Sequence, residues 1–330
     1  MISKQFVVDQ ILKEKKSSSP QESGIGKAPI NIALCKYWGK RNTELNLPNN
    51  SSFSISLPFY TETKIIPAKN LEIYLNGKLV NPESSFSKRL KEYTALFSDT
   101  KKTNYRIETT NDLPTAAGLA TSASGYAACI LALNNLYKWE LSTQELSVLA
   151  RLGSGSASRS IEKGFIQWNS GKCEDGMDSY AEKFPETWNQ LRIGLVILEE
   201  NEKAVSSREG MKRTVETSHF YQLWPEKCEQ DIISLKNTIL KKDFAEFGKI
   251  VESNALAMHA TMLDSSPPFF YWSAKTIETV QKIWKLRQKG HNIFFTMDAG
   301  PNIKLLFQEK DIGLVAENFT TIEIVSPTFS

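Results

Sequence analysis

Residues Pro114 to Gly125 read PTAAGLATSASG, a run of small and hydroxyl-bearing side chains leading from a predicted strand into a predicted helix. A connection of this make-up suits a loop that wraps phosphates, whose oxygens need many donors of short reach. Gly118 lets the backbone approach a ligand closely. Thr121, Ser122 and Ser124 set hydroxyls beside the free N–H groups of the following helix, whose positive end favours an anion. The spacing is not that of a Walker A loop, which needs Lys-Ser or Lys-Thr after its second glycine. An Ala/Ser/Gly-rich helix start packed tightly on a sheet would use the same residues, and the run alone leaves both readings open.

The rest of the chain narrows the setting. Its 330 residues, 41% hydrophobic and 23% charged, can build two domains and a sizeable core. A net charge of +3 with dispersed basic residues argues against a nucleic-acid surface but allows a local pocket for a small polyanion. Cys35, Cys129, Cys173 and Cys228 lie far apart without CxxC spacing, which favours reduced thiols in a cytosol over disulfides or zinc. His219, His259 and His291 fall in unrelated segments and form no metal-ligand pattern, and no apolar run reaches membrane-spanning length. An apolar patch from Phe6 to Leu12 gives way to KEKKSSSPQESG, read as a short helix and a flexible linker, not a signal peptide.

Strands are predicted at Ser51–Leu57, at Leu71–Leu75 and Lys78–Val80 around an Asn76-Gly77 hairpin turn, and at Tyr105–Thr109. Ser142 caps a helix with Glu145 completing a capping box, and Phe165–Trp168 and Leu191–Leu198 read as buried strands. Helices follow over Lys227–Lys241, Asp243–Met262 and Phe270–Lys289, then strands at Asn292–Thr296, Ile303–Phe307 and Thr321–Val325. Hairpins and meanders interleaved with helices predict an α+β fold, not a doubly wound parallel sheet.

Four further segments carry chemistry. APINIALCKYWGKR, from Ala28 to Arg41, ends an apolar strand with Lys36, Tyr37, Lys40 and Arg41, which suits either an anion or a solvated basic turn. RLGSGSASRS combines Ser154, Gly155 and Ser156 with Arg159, able to hold phosphate or carboxylate or to form a flexible turn. VSSREGM, with Lys203 upstream, brings Ser207 and Arg208 to a helix start, where phosphate binding and plain N-capping are both open. MDAGPN closes a buried strand with Asp298, either a turn cap or an acid aimed into a cleft.

Together these segments resemble the diphosphomevalonate decarboxylases of the GHMP kinase superfamily. The likeness runs from about Ala28 through Asn302, with APINIALCKYWGKR and NLPNNSSFS, NDLPTAAGLATSASG, GSGSASRS with EDGMDS, VSSREGM, and DAGPN in the family's order; HATMLDSSPP is also similar. The resemblance implies a GHMP kinase-like two-domain fold: a flexible extension over 1–26, a domain over 27–192 with the phosphate loop, and a second over 193–330, with the site in the cleft between them. It implies ATP- and Mg²⁺-dependent conversion of mevalonate 5-diphosphate into isopentenyl diphosphate, carbon dioxide, ADP and phosphate by a cytoplasmic homodimer. By position, Pro114, Ala117, Gly118, Leu119, Ala120, Thr121, Ser122 and Ser124 would surround the ATP phosphates, with Lys203 and Ser207 nearby. Tyr37, Lys40, Ser154, Gly155, Ser156 and Arg208 would hold the substrate diphosphate and Arg159 its carboxylate, while Asp298 would face the C3 hydroxyl beside Lys36. The resemblance identifies no metal ligand.

The sequence departs from the family pattern at Asn42, where an acid is usual, at Thr121 and at Leu113, and its tail lacks the usual Gly/Pro-rich ending. Rival readings are a decarboxylase of mevalonate 5-phosphate, a small-molecule kinase that stops at phosphorylation, and a nucleotide-binding scaffold. Retention of Asp298, Lys36 and Arg159 favours full decarboxylation.

Overall fold

The computed structural model describes residues 2–13, 15, 18–98, 104–113, 122–199, 205–320 and 322–329. Its first half is built on one long strand, β4 (Ser52–Ala68), flanked antiparallel by β1 (Gly24–Cys35), β7 (Asn104–Asn111) and β8 (Phe165–Trp168). The predicted strand ended at Leu57. Its alternation understates it, because Ser52, Ser54 and Ser56 are as fully buried as Phe53, Ile55 and Leu57. The hairpin of β5 (Glu72–Leu75) and β6 (Lys78–Leu79) joins β7 through β5, and β9 (Ala181–Phe184) joins β8, so that seven strands form this sheet among the described residues. Asn76 and Gly77, both at positive φ (49° and 76°), make the predicted turn.

Helix α3 (Ser122–Tyr137) lies on β1, and α4 (Thr143–Gly153) begins with the predicted Ser142–Glu145 capping box. Alanines on α3 and glycines on β1 permit this approach: a Cβ on Gly26 would stand 2.2 Å from the Ala128 carbonyl oxygen. Helix α2 (Ser85–Ala95) packs near α4, and β2 (Lys40–Asn42) pairs with β3 (Leu47–Pro48). The N-terminal stretch carries a docked helix, α1 (Lys4–Leu12), whose Val7, Val8, Ile11 and Leu12 enter the same apolar cluster as Tyr93, Trp139 and Leu149.

The second half sets a four-stranded antiparallel sheet, β11 (Phe294–Met297), β12 (Ile303–Gln308), β10 (Leu191–Val196) and β13 (Ile322–Val325), against helices. These are α5 (Ser207–Thr217), α6 (Trp224–Lys241), α7 (Phe244–Leu263), α8 (Ala274–Gln288) and α9 (Ile312–Asn318). Helix α8 starts four residues after the predicted Phe270 because Ser273 caps it, with Thr276 reciprocating. No described helix is long and apolar enough to cross a membrane.

An apolar layer joins the halves: Ile32, Phe53 and Phe165 from the first share one cluster with Ile193, Trp224 and Phe247 from the second. The C-terminal segment returns across it. Thr328 N–H donates to the Ser56 carbonyl of β4 at 3.0 Å, and the Phe329 ring packs 5.3 Å from Phe165.

Candidate active site

A cleft of about 680 Å³ opens between the halves. Lys36 enters it where β1 ends, its backbone fixed from both sides: its N–H donates to Asn254 Oδ1 and its carbonyl accepts from Asn50 Nδ2, each at 2.8 Å. Lys36 Nζ donates to the Ala33 carbonyl at 2.7 Å and to Asp298 Oδ1 at 2.9 Å. Asp298 directly follows β11, and its other oxygen lies 3.0 Å from Lys304 Nζ on the neighbouring strand β12. Lys36 and Lys304 are buried, whereas the Asp298 side chain is 42% exposed and lines the cleft. Partial desolvation against the cleft wall would raise the Asp298 carboxyl, but Lys304 and Lys36 outweigh it and hold the group well below the usual carboxylate range. Asp298 is therefore a clamped carboxylate at neutral pH. His259, buried on α7, is pulled down to about 3 by burial and then by the Lys36 charge, so it stands by as a neutral ring.

Arg159 closes another side. It lies in the 3₁₀ turn Gly155–Ser160, buried, with Nη1 donating to Ser52 Oγ at 2.6 Å. Its Nε has no partner among the described residues. Burial lowers the guanidinium to about 10, partly offset by Asp298, so it remains a cation at neutral pH. Tyr37 packs edge-on against Trp168 at 4.8 Å, and its buried hydroxyl also lacks a partner among the described residues. Gly155 is required beside it, since a Cβ there would come within 2.8 Å of the Tyr37 oxygen. A buried donor without a partner is costly, and an anionic ligand would satisfy both groups.

Lys40 opens β2 and donates to Asn46 Oδ1 at 2.6 Å; burial, then Arg208 and Lys4, lower it to about 8. Ser154 and Ser156, with hydroxyls 3.4 Å apart, flank Gly155 where α4 gives way to the 3₁₀ turn. Ser207 and Arg208 stand in the first turn of α5, whose N-cap is Ser206. Ser122, exposed at the start of α3, faces the same cleft. The fold thus brings these expected residues to one cavity from five separate segments.

Ser124 is the exception. It is expected beside the nucleotide, but its buried hydroxyl lies 2.7 Å from Thr61 Oγ1 and it does not line the cleft, because this side of the first turn of α3 faces β4. Pro114, Ala117, Gly118, Leu119, Ala120, Thr121 and Lys203 lie outside the described residues. Lys304 escaped the sequence reading, although a lysine inside the apolar run IKLLF was a signal that a buried anion would answer it. Asn254, which orients the Lys36 backbone, had no comparable signal.

Among the described lining residues the carboxylates are Glu199 and Asp298, and no group of three or more His, Cys, Asp or Glu could hold a metal. A divalent cation fits here in the manner of Mg²⁺ on a nucleotide, held chiefly by phosphate oxygens with a hydroxyl such as that of Ser122 or one carboxylate.

Two family models match the chain: a diphosphomevalonate decarboxylase-like N-terminal domain over residues 28–181 and a mevalonate 5-diphosphate decarboxylase C-terminal domain over 193–326. The chain belongs to the diphosphomevalonate decarboxylase family. Among members of that family, the diphosphomevalonate decarboxylase of Saccharomyces cerevisiae is 37% identical over 305 residues, covering 85% of this chain and 76% of the yeast protein. A solved mevalonate diphosphate decarboxylase from Enterococcus faecalis superposes with a TM-score of 0.85 at 41% identity, over 92% of this chain and 96% of its own. Another solved structure, described as MDDEF in complex with MVAPP, AMPPCP and magnesium, gives 0.86 at 42% identity with the same coverage. The α+β, GHMP kinase-like two-domain fold expected from the sequence is the one observed.

Proposed function

We infer that this cleft performs the ATP-dependent decarboxylation of mevalonate 5-diphosphate to isopentenyl diphosphate, carbon dioxide, ADP and phosphate. The observation that carries the reading is the Lys36–Asp298–Lys304 clamp in one cavity with Arg159, a buried cation whose Nε–H has no partner among the described residues. Family membership and a relative's complex with MVAPP, AMPPCP and magnesium support it over a kinase, a monophosphate decarboxylase or an inert scaffold.

A tertiary alcohol leaves poorly, so the γ-phosphoryl group of ATP first goes to the C3 oxygen. The C3–O bond then breaks with its electron pair on phosphate, and the C1–C2 pair becomes the C2=C3 double bond as carbon dioxide departs. In this scheme Arg159 holds the substrate carboxylate ionised and in place, since a guanidinium steers without giving up a proton. Tyr37, Lys40, Ser154, Ser156 and Arg208 hold the diphosphate end, with Gly155 making room, and Ser122 and Ser207 face the nucleotide. The Ser122 hydroxyl, with one carboxylate of the cleft, would hold Mg²⁺ on the nucleotide, where it would supply charge neutralisation at the phosphates.

Asp298 aligns the C3 hydroxyl. A carboxylate held so far down is a weak base toward a free alcohol, yet an oxygen already bonding to phosphorus carries a strongly acidic proton that a weak base accepts. Lys36, with Nζ at the clamp, stabilises charge moving onto the transferred phosphate.

The test is Asp298→Asn, assayed for carbon dioxide and ADP. It should fold, bind substrate within a few-fold, and lose about 10²- to 10⁴-fold in kcat. Normal turnover would make Asp298 a turn cap and sink the mechanism. A homodimer in the cytosol belongs to the same proposal, supported by the family likeness and by free thiols at Cys35, Cys129 and Cys228; sedimentation velocity decides the first.

A further inference from the structure

A second cavity of about 350 Å³ adjoins the cleft and shares Arg89, Tyr126 and Arg208 with it. It is also lined by Ser3, Lys4 and Gln5 at the start of α1 and by the carboxylates Glu44 and Glu92. Ser3, Lys4 and Gln5 precede the span matched by the family model, which begins at residue 28.

The position of Lys4 is fixed by the fold. Four apolar side chains anchor α1 in the core, Ser3 caps it through Phe6 N–H at 3.2 Å, and Gln5 Nε2 donates to the Leu96 carbonyl at 3.1 Å. Burial lowers the Lys4 ammonium, Glu44 and Glu92 oppose that, and Arg208 adds to it. Lys40 in turn is lowered first by burial, then by Arg208 and Lys4. Arg89 and Arg208 line both cavities, so Lys4 faces the cleft's cations across that boundary; Glu44 and Glu92, on the walls of the second cavity, answer part of its charge, and a polyanion seated at the boundary answers the rest.

We propose that Lys4 acts with Lys40, Arg89 and Arg208 as a fourth cation at the outer phosphate of the substrate, setting the preference for a 5-diphosphate over a 5-phosphate. The proposal rests on the reading of the cleft given above. Its physical basis is distance: a charge at the edge of the site attracts the outer phosphate more strongly than the inner one, which a monophosphate presents alone.

The experiment compares wild type, Lys4→Gln and Lys4→Arg at low salt, with mevalonate 5-diphosphate as substrate and mevalonate 5-phosphate as substrate or competitive inhibitor. Lys4→Gln should raise KM for the diphosphate about three- to tenfold while weakening the monophosphate less than twofold. Lys4→Arg should restore the wild-type KM. An unchanged diphosphate KM, or equal losses for both compounds, overturns the proposal. Calorimetric binding of inorganic pyrophosphate to the same proteins separates the two levels. If wild type decarboxylates neither compound yet binds pyrophosphate more tightly than Lys4→Gln does, the reading of the cleft falls and the cation site stands; equal pyrophosphate affinities remove the site.

Discussion

Lys304 sits in a buried strand among Ile303, Leu305 and Leu306, where an ammonium is expensive unless a carboxylate answers it. Asp298 answers it, and answers the buried ammonium of Lys36 with its other oxygen. The other groups turned toward Asp298 are Arg159 from the 3₁₀ turn and the neutral His259 from α7. Removing Lys304 leaves Asp298 one ammonium short, so its pKa rises toward the ordinary range. The sign follows: a carboxylate held low by two ammonium groups protonates at a higher pH in Lys304→Met, and activity that needs it ionised is lost there first. We expect the acid limb of its kcat profile to move up by about one unit or more, each unit being about 1.4 kcal/mol. An unmoved limb would reduce Lys304 to packing. Asp298 and Lys36 were legible in the sequence because each stands inside a compact motif. The placement of Ser124 against β4 was not legible, because loop composition does not say which hydroxyls of a helix start face a cleft and which face a sheet.

Elements were legible where their ends carry local chemistry. The Ser142–Glu145 box, the Asn76-Gly77 turn and the strand that delivers Asp298 all depend on neighbours within a few residues, so a single sequence displays them. The full reach of β4 was hidden, since its serines look like a solvent face and are covered by distant partners such as Arg159 on Ser52. Docking of α1 was hidden for the same reason. Its apolar residues are plain in the sequence, but the cluster receiving them is assembled from α2, α3 and α4. The close seat of α3 on β1 is likewise a property of two segments, readable only once Gly26 is known to face Ala128.

At the scale of the molecule, the cleft gathers Lys36, Lys40, Arg89, Arg159, Arg208 and Lys304 against Glu199 and Asp298 among its described walls, a surplus of positive charge that anionic ligands neutralise. That cleft keeps its width because the layer beneath it belongs to both halves, and because the C-terminal segment is tied back onto β4. The same layer should hold the halves together even without the covalent join between them. Two separately encoded pieces, 1–187 and 188–330, divided at the exposed Thr187, should each aggregate when made alone and reconstitute decarboxylase activity when made together. Pieces that stay soluble and monomeric apart would contradict this. If the pieces do reassemble, peptide continuity is a convenience of synthesis here, and the two halves meet across their shared apolar layer as the partners of a heterodimer do.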